Sequence, residues 1–374
     1  MPVHDLGYRA WLGKRMPRIL RPLVVAQSGV ALVWRRKWLR MMLIFAWLPI
    51  IAFAILIFAF EYAPTNPFSK RMIVGFIAQA SQNPELALTA AYDHTQARHD
   101  VWATVIMMFF RVPQLYAMVL LVGIIAPMLV SYDLRSKAYL MYFSRPLSPL
   151  EYILGKSAVL WFFLCMIAAV PALALYFVGT LLSPGLSTFF DTWDIPLRIL
   201  GATVVLVVPT TALALCYSSF TSESRYATFS WFATWVLGSI SYLFLTGAGA
   251  AGHDPGFRHQ REGRRPPRVE YFDSSQAEHF AQFAGSSRGD RGGRGQGFDP
   301  GPVEEFVDAF GPDNIDYDKW RFLSPYHTLG KVEAWVFGLD TTPASVWPFI
   351  CLLTAITLIC LYVIRHRIVS RLRI

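Results

Sequence analysis

The sequence predicts an all-α integral membrane protein with six transmembrane helices, both termini on the cytoplasmic side, and one large outer loop between spans five and six. Three observations predict it. The chain is 54% hydrophobic and only 16% charged over 374 residues, with a mean hydropathy of +0.39, whereas a soluble domain carries about a quarter charged residues. Six apolar runs are long enough to cross a bilayer, since at about 1.5 Å per residue roughly 20 residues cover a ~30 Å hydrocarbon core. The basic residues gather at the flanks that an inside-facing orientation requires.

Residues 1–40 form a basic N-terminal segment, with Arg9, Lys14, Arg15, Arg18, Arg21, Arg35, Arg36, Lys37 and Arg40 against one acid, Asp5. Basic flanks stay in the cytoplasm, so the N-terminus is placed inside. Within it, "LVVAQSGVALVW" (23–34) is apolar but too short to cross, and it abuts Arg35-Arg36-Lys37. It reads as a helix in the inner interface with Trp34 and Trp38 as belt residues, the alternative being a buried seventh half-span. The first span, 41–60, carries no charge, and it is longer than the core of a signal peptide, so it is expected to be retained.

Residues 61–100 then form an outer loop, and Val101 to Phe110 an outer interfacial segment. Arg111 is costly at mid-membrane, and Pro113 reads as a helix start, which puts Arg111 at the mouth of the second span (113–132), with a place on a substrate path as its functional reading. The third span, 149–179, is longer than needed and must tilt, extend or bend at Pro171. Spans four, five and six cover 197–218, 226–246 and 345–364. The tail bears Arg365, Arg367, Arg371 and Arg373 and no acid, which returns the C-terminus inside. The domain plan is therefore 1–40, 41–246 with a cytoplasmic loop at 132–148, 247–344 outside, and 345–374.

The stretch 247–343 holds 11 Lys/Arg against 15 Asp/Glu, a net charge of −4, which leaves +13 for the rest of the chain. The basic balance thus belongs to cytoplasmic flanks near anionic lipid, and no nucleic-acid partner is expected. "RHQREGRRPPR" (258–268) is a local exception, but long loops translocate largely regardless of charge. In this loop "GAGAAG" (247–252) reads as a flexible exit and 284–302, rich in glycine and charge, as disordered. Residues 322–339 regain apolar character and read as a short amphipathic helix dipping into the outer interface.

Enzymatic signatures are missing. There is no His-Glu-x-x-His and no pair of intramembrane carboxylates. Cys165, Cys216, Cys351 and Cys360 all fall in apolar spans and form neither a disulfide framework nor a metal-type spacing. Gly155-Lys156-Ser157 imitates the end of a phosphate-binding loop, but Leu150 stands where its first glycine belongs and no strand precedes it. Ser148-Pro149-Leu150-Glu151 is instead a capping box, with Ser148 as N-cap and Glu151 reaching back. Gly155 and Lys156 then lie on the first turns of span three, the lysine as an interfacial anchor. Upstream, residues 133–143 read as a short amphipathic helix with Asp133, Arg135 and Lys137 polar and Leu134, Leu140, Met141 and Phe143 apolar, ending at Arg145 because Pro146 disfavours helix there.

"APMLVSYDLRSKAYLMYFSRPLSPLEYILGK" resembles the first cytoplasmic loop of type-2 ATP-binding-cassette exporter permeases, at Asp133, Ser144, Pro146, Leu147, Ser148, Tyr152, Gly155 and Lys156. "ALCYSSFTSESRYA" (214–227) resembles that family's second cytoplasmic turn, and the six-span plan with both ends inside is similar too. Two positions depart from the pattern: the family usually has Glu where Asp133 stands and often a basic residue where Pro149 stands. The resemblance implies a non-catalytic permease subunit of the cell inner membrane that forms a homodimer or heterodimer and pairs with separate ATPase subunits. This chain would bind no cofactor, and ATP and Mg would sit in the partner. By the same resemblance Asp133, Arg135, Lys137, Tyr142, Ser144, Arg145 and Pro146 contact the ATPase, while Ser148, Glu151, Tyr152, Gly155 and Lys156 start span three. A membrane scaffold or sensor whose outer loop binds a partner is the alternative from another class. A secondary transporter comes third, because it calls for midplane ionisable or broken-helix sites that are not evident in the sequence.

Overall fold

The computed structural model describes residues 20–62, 94–138, 148–185, 187–247, 320–340 and 343–372, with isolated positions between 73 and 90. Among the described residues there is no strand. The chain divides into two units, Met1–Ser239 with Phe322–Ile374, and Ile240–Arg321. The smaller unit is described only at its two ends, where Thr246 Oγ1 donates to the Tyr242 carbonyl at 2.6 Å.

Six helical segments are long and apolar enough to cross a membrane: Lys37–Glu61, Thr95–Arg135, Pro149–Leu182, Ile195–Phe220, Ser224–Thr246 and Ala344–Ser370, numbered here as spans one to six. Helix α1 (Arg21–Trp34) precedes them. Span one is α2 (Lys37–Trp47) and α3 (Ile50–Glu61); span two is α4 (His94–Pro113), a π-helical turn (Gln114–Met118), α5 (Val119–Leu129) and α6 (Ser131–Arg135). Span three is α7 (Pro149–Ile167) and α8 (Ala169–Leu182), followed by α9 (Ser187–Asp191); spans four and five are α10 (Ile195–Phe220) and α11 (Ser224–Gly247). Helix α12 (Pro325–Val336) leads to α13 (Pro343–Leu372), which carries span six.

Prolines set the breaks, and neighbours satisfy the carbonyls that prolines orphan. Pro49 brings no N–H to the Phe45 carbonyl, so α2 ends at Trp47 and Phe45 O accepts instead from Leu48 N at 3.3 Å and Tyr116 Oη at 3.2 Å. Pro127 likewise frees the Gly123 carbonyl, and Thr228 Oγ1 of span five donates to it at 2.9 Å. Span three bends at Ala168, because Pro171 removes the donor that Ile167 O would otherwise receive. In hydrocarbon such repairs are obligatory, since no water is present to make them.

Span two corrects two expectations. Val101 to Phe110 is helix continuous with the span, and Val101, Trp102, Val105, Ile106, Phe109 and Phe110 are at most 1% exposed, so the segment is core and not interfacial. Pro113 does not start a helix either. It closes α4, and the ladder then widens into the π-helical turn Gln114–Met118.

Helix α1 occupies the stretch expected at 23–34, but one face of it, Val25, Gly29 and Val33, is buried against α7. The approach is close. A Cβ at Gly155 would stand 2.7 Å from Val25 Cβ, and one at Gly29 would stand 2.6 Å from Val159 Cγ2. Gly155 is therefore a packing position for α1, not merely a headgroup-level residue. Trp34 adds ring contacts to Phe162 and Phe163 at centroid distances of 6.4 and 6.3 Å. The stretch expected to dip into an interface is α12, and it too is packed, with Leu329, Val332 and Glu333 buried. The expectations for 1–19, 258–268 and 284–302 lie outside the described residues.

Candidate functional site

The two ends of the bundle differ in charge. One bears Arg35, Arg36, Lys37, Arg135, Lys137, Arg365 and Arg367 with few acids such as Glu223; at the other, Glu61, Asp191, Asp194 and Asp340 are paired with Arg98, Arg198 and Lys331. At the basic end, Asp133 in α6 turns inward and is only 7% exposed. Its Oδ2 accepts from Lys156 Nζ at 2.7 Å and from Tyr152 Oη at 2.9 Å, both on the first turns of α7. A carboxylate and an ammonium leave water together only when their geometry compensates, and the phenol supplies the extra bond. Two expectations change here. Asp133 is buried instead of exposed on the surface, and Lys156 points into the bundle instead of to the headgroups, where the two charges neutralise each other.

The chain leaves α6 through a tight cap. Lys137 has φ 55°, in the left-handed region, and Ala138 N donates to Asp133 O at 3.0 Å while Ser136 N donates to Tyr132 O at 2.9 Å. This is a Schellman-type ending with lysine where glycine is usual. Helix α6 accordingly stops at Arg135, so the helix expected over 133–143 is interrupted at 136–138, and 139–143 lie outside the described residues. Tyr142, Ser144, Arg145 and Pro146 lie outside the described residues. The chain returns at Ser148, where the expected capping box is present: Glu151 N donates to Ser148 Oγ at 3.2 Å and Ser148 N to Glu151 Oε2 at 2.7 Å. Both roots of the 136–147 loop are thus fixed to the same base.

That base extends to span four. Ser131 N and Oγ bond Ser218 Oγ and O at 3.0 and 2.9 Å, and Ser218 Oγ donates to the Ala126 carbonyl at 2.9 Å, all fully buried. Arg135 reaches Glu223 in the turn between spans four and five at 3.7 Å, with both side chains largely exposed. Such a pair adds little stability. Among the described residues expected to face a partner, Arg135 and Lys137 are exposed.

Arg111 forms a second site. It does not snorkel; its side chain is 12% exposed, and Nη1 meets Glu333 Oε2 at 3.2 Å. Gln114 Nε2 donates to Glu333 Oε1 at 2.9 Å, Arg111 Nη2 donates to the Tyr326 carbonyl at 3.1 Å, and the guanidinium lies 4.0 Å from the Tyr326 ring centroid. Gly330 makes room for it, since a Cβ there would collide with the guanidinium. This buried pair clamps α12 to span two. Sequence reasoning missed Glu333 because α12 was read as lying in the interface. The available signal was a lone acid in the apolar run "KVEAWV" and a lone arginine in "MMFFRVP".

At the acidic end, Glu61 accepts from Trp102 Nε1 at 2.9 Å, Ser183 Oγ at 3.3 Å and Arg98 Nη2 at 3.4 Å, while Arg98 Nη1 also bonds Asp191 at 2.8 Å. Asp194 accepts from Arg198 Nε at 2.6 Å and pairs with His99 Nε2 at 3.1 Å. Burial alone would raise the Asp194 carboxyl, but the bonds from His99 and Arg198 outweigh it and hold the group below the usual aspartate range. Among the described residues no group of three or more His, Cys, Asp or Glu side chains is arranged to hold a metal ion.

Neither protein-family models nor curated proteins give a match to this chain.

Proposed function

We propose that the chain is the membrane-spanning permease subunit of an ATP-binding-cassette exporter, driven by a separate ATPase and placed with its basic end in the cytoplasm. The observation that carries this reading is the anchoring of the loop that resembles the family's ATPase-facing loop. Asp133 locks its first root to Tyr152 and Lys156, and the Ser148–Glu151 capping box locks its second. A loop held this way passes a displacement to spans two and three as a rigid-body shift, whereas a slack loop would absorb it. Ser131–Ser218 bonding carries the shift on to span four. ATP and Mg would be held by the partner. Arg135 and Lys137 offer that partner exposed positive charge, and the inner membrane is the expected location.

The test is capture. Tagged full-length chain, purified from membranes of its source, is expected to bring down a stand-alone ATP-binding-cassette ATPase, and charge reversal of both Arg135 and Lys137 is expected to weaken that capture. Purification with no ATPase would sink the proposal and favour the scaffold reading. The buried Arg111–Glu333 pair favours one second reading, an ion-coupled transporter, since ionisable groups inside a bundle are a usual mark of one. Dependence of transport on an ion gradient with no requirement for ATP would select it.

A further inference from the structure

Between spans four, five and six and helix α12 lies a cavity of about 230 Å³. Among the described residues no charged side chain lines it, and most of its wall is aliphatic or aromatic, including Leu329 on α12 and Leu353 on span six. Two polar side chains in the wall are anomalous. Thr210 and Trp235 are 3% and 5% exposed, and among the described residues neither Thr210 Oγ1 nor Trp235 Nε1 has a hydrogen-bond partner. Their neighbours are satisfied: Tyr217 Oη and Thr234 Oγ1 are 2.7 Å apart, and Thr234 also donates to the Ser230 carbonyl. Buried donors are almost always paired, so two orphans in one cavity wall call for an occupant.

Water is a poor one. A volume of 230 Å³ holds about seven or eight waters at their liquid share, each needing two to four polar partners, and this wall offers two open groups. An empty cavity is no better, since its lining would forfeit dispersion contacts. The volume exceeds the roughly 150 Å³ of an apolar cavity that holds benzene. The indole N–H is a donor only, and a helical threonine has two rotamers through which to present its hydroxyl. We infer that this cavity binds one uncharged, hydrocarbon-rich molecule from the membrane, of about eight non-hydrogen atoms within the cavity, whose hydrogen-bond acceptor takes the Trp235 and Thr210 donors. Thr210 and Trp235 stand near the middles of spans four and five, where a charged headgroup would not reach. The site is independent of whether an ATPase drives the chain.

Photolabelling tests it. Purified full-length chain in phosphatidylcholine nanodiscs is exposed to a diazirine-bearing octanol, and adducts are mapped by peptide mass spectrometry. Saturable adducts are expected at cavity residues such as Leu329 and Leu353. At equal membrane concentration, 2-nonanone should compete about three- to tenfold better than nonane, the worth of one neutral hydrogen bond. Trp235→Phe should reduce that preference while leaving competition by nonane unchanged, and Leu353→Trp should block the adducts. Thr210→Val gives a second route to the same loss should Trp235→Phe not yield folded protein, as judged by gel filtration and circular dichroism. Absence of saturable adducts in the wild-type chain, or equal competition by ketone and alkane, overturns the inference; the wild-type comparison needs no variant.

Discussion

Asp133 and Lys156 are separated by 23 positions in sequence and by 2.7 Å in space, and each is stable in the bundle only because of the other. Removing one partner leaves an uncompensated buried charge, which costs about 3–5 kcal/mol. Lys156→Met alone should therefore lower the midpoint of thermal unfolding in detergent substantially, and Asp133→Leu with Lys156→Met should recover most of the loss. Asp194 makes a prediction about pH. Its folded value lies below the ordinary 3.8, so its contribution is complete above that value and fades as pH falls through the lower folded one. Thermal stability measured down an acid series should show a loss that Asp194→Asn reduces. Neither site was fully legible in the sequence. Asp133 and Lys156 both appeared in the loop motif, yet nothing in a linear motif says that two charges point inward at each other.

Helix existence was legible and helix extent was not. All six apolar runs form helices long and apolar enough to cross a membrane, because length and hydropathy alone decide whether a segment can cross. The full extent of span two escaped because Arg98, Asp100 and Arg111 interrupt its hydropathy, and the tertiary partners of the two arginines, Glu61, Asp191 and Glu333, cannot be read from the run itself. The capping box at Ser148 was fully legible, since its signal is local; Ser148→Ala should cost about 1 kcal/mol, read from the same unfolding curves. The seat of α1 was not, because it depends on two glycines meeting the facing helix. Gly155→Val should push α1 away, destabilise by about 1–3 kcal/mol, and expose a cysteine placed at Val25 to a water-soluble maleimide.

At the scale of the whole molecule, the charge difference between the ends makes a topological prediction. In a background without the four native cysteines, a cysteine at Ser370 should react only from inside and one at Ser286 only from outside. The bundle joins its spans by staples near both ends, Ser131–Ser218 and Asp133–Lys156 at one and Glu61–Arg98–Asp191 at the other. In the proposed function another polypeptide supplies ATP-driven motion through residues 136–147. The most direct measurement is the ATP hydrolysis rate of the partner ATPase reconstituted in liposomes with this chain, wild type or with both Arg135→Glu and Lys137→Glu. The account predicts that the wild-type chain changes the ATPase rate and that the double reversal returns it towards that of the ATPase alone. An ATPase rate indifferent to both forms of the chain would contradict it.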